Sequence, residues 1–196
     1  ANRISLLDGF HWVEHLIYIF FKRTNRLIRF EWHFIGPIQS NKTRRIAENF
    51  AWVHSVDRKK IADRLSKDRP ESLPPLQICL QVNVSGEDSK SGVTPEEVAD
   101  LAAHVVKLPR LRLRGVMAIP ELTKFTALQR SQFRMLKEAY DQLKQSGYDV
   151  DTISMGMTED LDLAIQEGTT MVRIGTAIFG PRRYAIPEEL ARQTAP

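Results

Sequence analysis

Met171-Val-Arg-Ile-Gly-Thr-Ala-Ile-Phe-Gly180 decides how the whole chain is read. Met171 to Ile174 has the texture of a short buried strand. Gly175 and Thr176 follow at its C-terminal end and offer bare backbone N–H groups and one hydroxyl. Glycine lets an anion approach such amides closely, so the turn suits a phosphate. Arg173 places a permanent cation inside the apolar strand, and a fixed charge there needs a partner. Two kinds fit: an acidic side chain on a neighbouring strand, or a bound anion or heteroaromatic ring.

Upstream, Thr152-Ile-Ser-Met-Gly-Met-Thr-Glu-Asp-Leu-Asp162 runs from a strand, through Ser154, Gly156 and Thr158, into a helix. Two consecutive βα turns carrying glycine and hydroxyls are the usual phosphate cradle of an eight-stranded α/β barrel, after strands 7 and 8. Helix N-terminal amides add to such a cradle.

Further upstream, strand and helix alternate from Glu31 onward. Strands are expected at 32–38, 52–55, 77–84 and 112–119, and helices at 41–50, 58–66, 95–107 and 128–145. Pro95 suits a first helical turn, and Gly147 a helix C-terminus. With the two final units this makes six strands, and alternation of this kind implies a parallel sheet. No Gly-x-Gly-x-x-Gly follows a first strand, and the phosphate-like turns lie on the last two units. An α/β fold of the TIM (β/α)8 barrel type is therefore expected over a bare doubly wound sheet.

Residues 1–30 differ. Phe10 to Phe21 is very apolar, and Phe10, Val13, Ile17, Phe20 and Phe21 fall on one helical face, so this segment is expected to be helical. Glu14 and His15 interrupt it, and it is too short to span a membrane. The basic residues follow the apolar run, unlike a secretory signal. Domains are accordingly set at 1–30 (atypical segment), 31–184 (barrel) and 185–196 (polar tail).

The whole-chain totals agree with an ordinary globular protein: 196 residues, 42% hydrophobic and 27% charged. A net charge of +4 is a mild excess, and no basic stripe interleaved with aromatics marks a nucleic-acid binder. Cys79 is the one cysteine, in an apolar run, which reads as a small buried hydrophobe and agrees with a reducing, cytoplasmic setting. The five histidines are scattered without metal-ligand spacing, so no metal is expected.

Glu31-Trp-His-Phe-Ile-Gly-Pro-Ile-Gln-Ser-Asn-Lys42 resembles the third-strand motif of the pyridoxal phosphate homeostasis proteins, single-domain relatives of the alanine racemase N-terminal barrel. Ser89-Lys-Ser-Gly92, Arg114-Gly-Val-Met-Ala-Ile-Pro120, Ser154-Met-Gly-Met157 with Asp160, and Val172 to Gly180 resemble four more motifs of that family, in order. The resemblance covers about Glu31 to Tyr184. It implies that Ser154, Gly156 and Met157 line the seventh-strand turn beside pyridoxal 5′-phosphate. It implies that Gly175 and Thr176 bind the phosphate and that Arg173 sits at the pyridine nitrogen. An arginine there keeps that nitrogen unprotonated and weakens the ring as an electron sink, which suits holding the cofactor more than driving carbanion chemistry.

The family's cofactor-anchoring lysine lies on its first strand, in an Ala-Val-Ser-Lys-type segment, and its second strand ends in a Phe-Gly-Glu-Asn-type turn. Neither matches residues 1–30, where Lys22 is the lone lysine. The barrel is thus expected to be incomplete in strands 1 and 2, and the covalent anchor to be lost. Lys90, on a mouth-side loop with Gly92, is the substitute amine to consider. Lys42 and Arg44-Arg45 read as surface residues, and His33 as a satisfied interior histidine. Met117, Met155 and Met157 read as core and pocket wall. Asp160 and Asp162 read as charges favouring a helix N-terminus.

Three functions follow. The first is a cytoplasmic, non-catalytic carrier that binds, buffers or delivers pyridoxal 5′-phosphate, with dependent apo-enzymes as recipients. The second is a racemase-like enzyme of the related barrel class. That class needs a second, β-rich domain bearing a tyrosine base, for which the tail 185–196 leaves no room. The third is a remnant that has lost covalent cofactor binding. The first is preferred.

Overall fold

The computed structural model describes residues 18–24, 27–87, 90–120, 123 and 125–180, with side chains from Glu31 onward. Six strands form one sheet in sequence order: β1 (Tyr18–Thr24), β2 (Leu27–Phe34), β3 (Trp52–Val56), β4 (Leu76–Gln81), β5 (Leu111–Met117) and β6 (Thr152–Ser154). β1 runs antiparallel to β2, and every later pair is parallel. The crossovers carry α1 (Thr43–Asn49), α2 (Lys59–Asp68), α3 (Val98–Val105) and α4 (Thr126–Gln145), and α5 (Leu161–Gln166) and α6 (Thr176–Phe179) follow β6. This is the α/β barrel-type fold expected from alternation, with an open sheet among the described residues.

The N-terminal expectation is corrected. Residues 18–24 and 27–30 are strand, not helix, and Tyr18 pairs with His33 through to Thr24 with Leu27. Ile28, Phe30, Trp32 and Phe34 alternate with Arg29, Glu31 and His33, and that period of two outweighs the helical spacing read from the apolar run. Residues 1–17 and 181–196 lie outside the described part. Consequently β2 ends at Phe34, before the Gly36-Pro37 bend, instead of reaching Ile38.

Parallel strands covered on both faces are built from near-continuous apolar runs. Leu76, Ile78 and Leu80 of β4 pack with Val53, Val116 and Ile153 against the helices in one large apolar cluster. α2 turns Ile61, Ala62 and Leu65 into that cluster at three- and four-residue spacing. Thr94 and Glu97 form a capping box ahead of α3, with Pro95 in the first turn. Arg69 is 4% exposed and closes the far end of the sheet. It donates to the carbonyls of Ala47 (2.5 Å), Phe50 (2.7 Å) and Pro74 (2.8 Å), satisfying the C-terminal end of α1.

The opposite face of the sheet holds a much smaller apolar group, Ile35, Trp52, Cys79 and Met117. Burial pushes the Cys79 thiol up from its ordinary range, so it stays an inert filler.

Candidate functional site

Because β2 to β6 are parallel, their C-terminal ends share one edge, where an α/β barrel keeps its functional residues. Ser154 ends β6, Ala118 follows β5, His54 lies in β3, and the chain after α5 returns Met171 to this edge. The expected strand 171–174 is corrected to a single bridge, Ser154 with Met171. The reason is local: the Arg173 amide donates to Gly156 O at 3.0 Å, so the chain follows the 155–157 turn and leaves the ladder.

Arg173 is 2% exposed. Its Nη1 donates to Ser154 O (3.0 Å) and to Ser154 Oγ (3.2 Å), and its Nη2 to Ala118 O (2.8 Å). Of the two sequence alternatives, these bonds include no carboxylate; they splay the guanidinium across the ends of β5 and β6. Ser154 is fully buried, and its Oγ also lies 3.0 Å from His54 Nδ1. His54 Nε2 in turn lies 2.9 Å from His33 Nδ1. His33 stacks on Trp52 with ring centroids 5.1 Å apart and an interplanar angle of 6°. Burial holds His33 down at about pKa 4. Burial, then the neighbouring His33 and Arg173, hold His54 well below its ordinary value. Both rings are neutral at pH 7.

Beside this corner the 155–158 turn is locked from within. Met157 N donates to Asp160 Oδ1, and Gln129 Nε2 donates to Asp160 Oδ2 at 3.1 Å. Asp160 therefore fastens the turn, beyond the dipole role expected of it. Gly156 has φ +92°, and a Cβ there would meet Ala164 Cβ at 2.5 Å, so only glycine lets the turn pack on α5.

The sequence-expected residues separate into two groups. Ser154, Gly156 and Arg173 meet in one buried corner, and Met157 lies at its partly exposed rim with its amide bonded to Asp160. Gly175 and Thr176 stand beside it with donors to spare. Among the described residues the amides of Gly175, Thr176 and Ala177 make no backbone hydrogen bond, and the Thr176 hydroxyl, exposed on α6, makes none either. Lys90 is exposed on the loop from Asn83 to Gly92. The base of that loop is pinned by Asn83 N to Val93 O (2.8 Å) and Val93 N to Gln81 O (2.9 Å). Gly92 has φ +129°, and a Cβ there would meet Asn83 N at 2.6 Å, so the glycine serves this doubling-back. Met117 and Met155 are fully buried as expected, while Met157 is partly exposed. His33 is an interior histidine, 2% exposed, with its Nδ1 bonded to His54. His54, Trp52 and Ala118 escape a reading of the sequence, since the bond from His54 to Ser154 joins residues one hundred positions apart.

A planar, anionic, phosphorylated heterocycle fits this chemistry: a fixed cation at the buried end and spare amides and a hydroxyl at the other. Among the described residues no cluster of three or more potential metal-binding side chains is present, and no helix is long and apolar enough to cross a membrane.

Comparison with known proteins agrees. The sequence profile described as alanine racemase, N-terminal domain, matches residues 23–183. A pyridoxal phosphate homeostasis protein of Pseudomonas aeruginosa is 62% identical over 156 residues, covering 80% of this chain and 66% of its own length. One from Haemophilus influenzae is 55% identical over 160 residues, covering 81% and 68%. Among solved structures, PipY of Synechococcus elongatus with PLP bound aligns at 33% identity with a TM-score of 0.70, covering 76% of this chain and 70% of PipY. The chain spans about two thirds of the length of the curated relatives it matches. It belongs to the alanine racemase N-terminal domain family, among the pyridoxal phosphate homeostasis proteins.

Proposed function

We propose that this protein binds pyridoxal 5′-phosphate and serves intracellular homeostasis of that cofactor, buffering or delivering it without turnover. The observation that carries this is the buried Arg173 guanidinium at the C-terminal edge of the sheet, one turn before the amides of Gly175 to Ala177, which make no backbone hydrogen bond among the described residues. Arg173 would face the ring nitrogen, Gly175 and Thr176 would hold the phosphate, and Ser154, Gly156 and Met157 would wall the ring. The relatives' names and the cofactor in PipY support the same ligand.

When bound, the cofactor supplies an aldehyde and an electron-accepting ring. The residues around it favour holding over turnover. Arg173 is permanently charged and cannot give the ring nitrogen a proton at neutral pH. The nearby imidazoles are neutral, buried and bonded to each other, so neither is poised as an exposed acid or base. Lys90 is the amine proposed to approach the aldehyde, from its exposed loop. Recipients would be dependent apo-enzymes in the cytoplasm.

Titration of the full chain with pyridoxal 5′-phosphate, followed by calorimetry and absorbance, tests this. Saturable one-to-one binding is expected. Arg173→Gln should alter the bound cofactor's spectrum, while alanine racemisation stays at background in both proteins. Racemisation by the wild type would overturn the non-catalytic reading, and absence of binding would overturn the ligand. Borohydride trapping and peptide mapping would place an adduct on Lys90; an adduct elsewhere would reject that amine.

A further inference from the structure

His54 is closed off from solvent, yet it joins the three parts of the buried corner. Its side chain is fully buried on β3, between His33 of β2 and Ser154 of β6. The order of the bonds follows from what each group can give. A guanidinium has N–H groups only, so Ser154 Oγ accepts from Arg173 Nη1. The serine keeps its own proton to donate. Among the described residues one acceptor is in reach of that proton, His54 Nδ1 at 3.0 Å. A neutral His54 accepting at Nδ1 carries its proton on Nε2, and that proton points at His33 Nδ1, 2.9 Å away. His33 then carries its proton on Nε2. One permanent cation thus sets the polarity of every bond across the sheet.

We propose that His54 is the positioning residue of this site. By accepting the Ser154 hydroxyl proton it fixes the serine oxygen as the acceptor for Arg173, and so holds the guanidinium in the plane where a ligand ring would meet it. Replacing His54 leaves that hydroxyl without its acceptor in a dry corner. The serine then competes with Arg173 for the carbonyls of Ser154 and Ala118, and the guanidinium loosens. Among the described residues the charged or titratable groups facing His54 are His33 and Arg173, and both disfavour a proton on it. The consequence for a ligand rests on the proposed function; the consequence for Arg173 does not.

The experiment uses the full chain as wild type, His54→Leu and His54→Asn. Leucine fills similar volume with no acceptor. Asparagine restores an acceptor near the Nδ1 position. In the ligand-free wild type, nitrogen-15 spectra should show His54 and His33 neutral at pH 6.5 with protons on Nε2, and Arg173 side-chain N–H signals protected from exchange. His54→Leu should raise Arg173 N–H exchange at least tenfold, and His54→Asn should return it to within about threefold of wild type. Ser154→Ala, a smaller change, should match His54→Leu. With pyridoxal 5′-phosphate, His54→Leu should weaken binding about tenfold and shift the bound spectrum, while affinity for inorganic phosphate is unchanged. A proton on His54 Nδ1, or unchanged Arg173 exchange in both His54→Leu and Ser154→Ala, would overturn the inference. Failure of the wild type to bind the cofactor would remove the proposed function, and the ligand-free exchange rates would still decide the role of His54.

Discussion

The two faces of the sheet are made from alternate residues of the same strands, yet they differ in kind. Toward the helices, Val53, Ile78, Leu80, Val116 and Ile153 merge into a single apolar core. On the other face His33, Trp52, His54 and Ser154 share the space, among the described residues, with the buried apolar Ile35, Cys79 and Met117. The first face stabilises by removing apolar area from water. The second is buried but polar, and its hydrogen bonds run from His33 to His54, from His54 to Ser154 and from Ser154 to Arg173. Side-chain alternation lets one strand do both, because neighbouring residues point to opposite faces. Two buried arginines sharpen the contrast. Arg69, 4% exposed, bonds backbone carbonyls in a helix-end plug. Arg173, equally buried, is tied to a serine that is tied to two imidazoles. Burial alone does not tell a structural cation from one built into a site; the partners do.

The largest expected effect breaks the helix-facing side. Leu80 is fully buried in the large core, so Leu80→Ala should cost about 2–5 kcal/mol, the sum of lost transfer energy and cavity. Urea unfolding at pH 7 measures it. Ligand affinity of the protein that remains folded should hardly change. A loss under about 1 kcal/mol would mean that this face is not the continuous core it looks like.

Acid should attack the other face first. In the unfolded chain a histidine takes its proton near pH 6.5, but folded His33 refuses one until about pH 4. Between these values the unfolded state binds more protons, so stability falls as pH falls. Each pKa step is worth about 1.4 kcal/mol, so His33 accounts for about 3 kcal/mol by pH 4. His54 adds to the loss with the same sign. Asp151, held below the usual carboxylate range by its bond to Arg114, contributes only at still lower pH. Urea midpoints at pH 7, 5.5 and 4.5 trace the slope, which should be shallower in His33→Gln. Midpoints independent of pH across this window would show that the imidazole pair is not dry.

The same contrast explains what could be read in advance. The helix-facing core was legible, because apolar residues at periods of two and near four report burial directly, as in β4 and α2. The turn around Gly156 was legible too, because its close packing on α5 demands glycine. Two things were not. The apolar run before Lys22 satisfies both periods locally, and pairing with β2 decides for strand from Tyr18 onward. The link from His54 to Ser154 spans one hundred residues, and nothing near Trp52-Val-His-Ser-Val56 announces it. Arg173 stood out as a cation in an apolar segment, while the two carbonyls and the hydroxyl it bonds among the described residues could come only from the fold.

The smallest expected effect separates the two ends of the candidate site. Thr176 is exposed at the start of α6, and its hydroxyl has no partner among the described residues. Thr176→Val keeps the shape and removes only that donor, so stability should stay within about 0.5 kcal/mol, as for surface changes away from caps, core and buried networks. If the hydroxyl holds the phosphate, affinity for pyridoxal 5′-phosphate should fall by roughly 1–3 kcal/mol, the cost of a charge-assisted bond left unmade. Pyridoxal without its phosphate should bind wild type and variant alike, since its contacts would lie at Arg173 and the 154–157 turn. Calorimetry with both ligands makes the comparison. Equal losses for the two would move the hydroxyl away from the phosphate, and no loss for either would leave the backbone amides of Gly175 to Ala177 as the phosphate's donors.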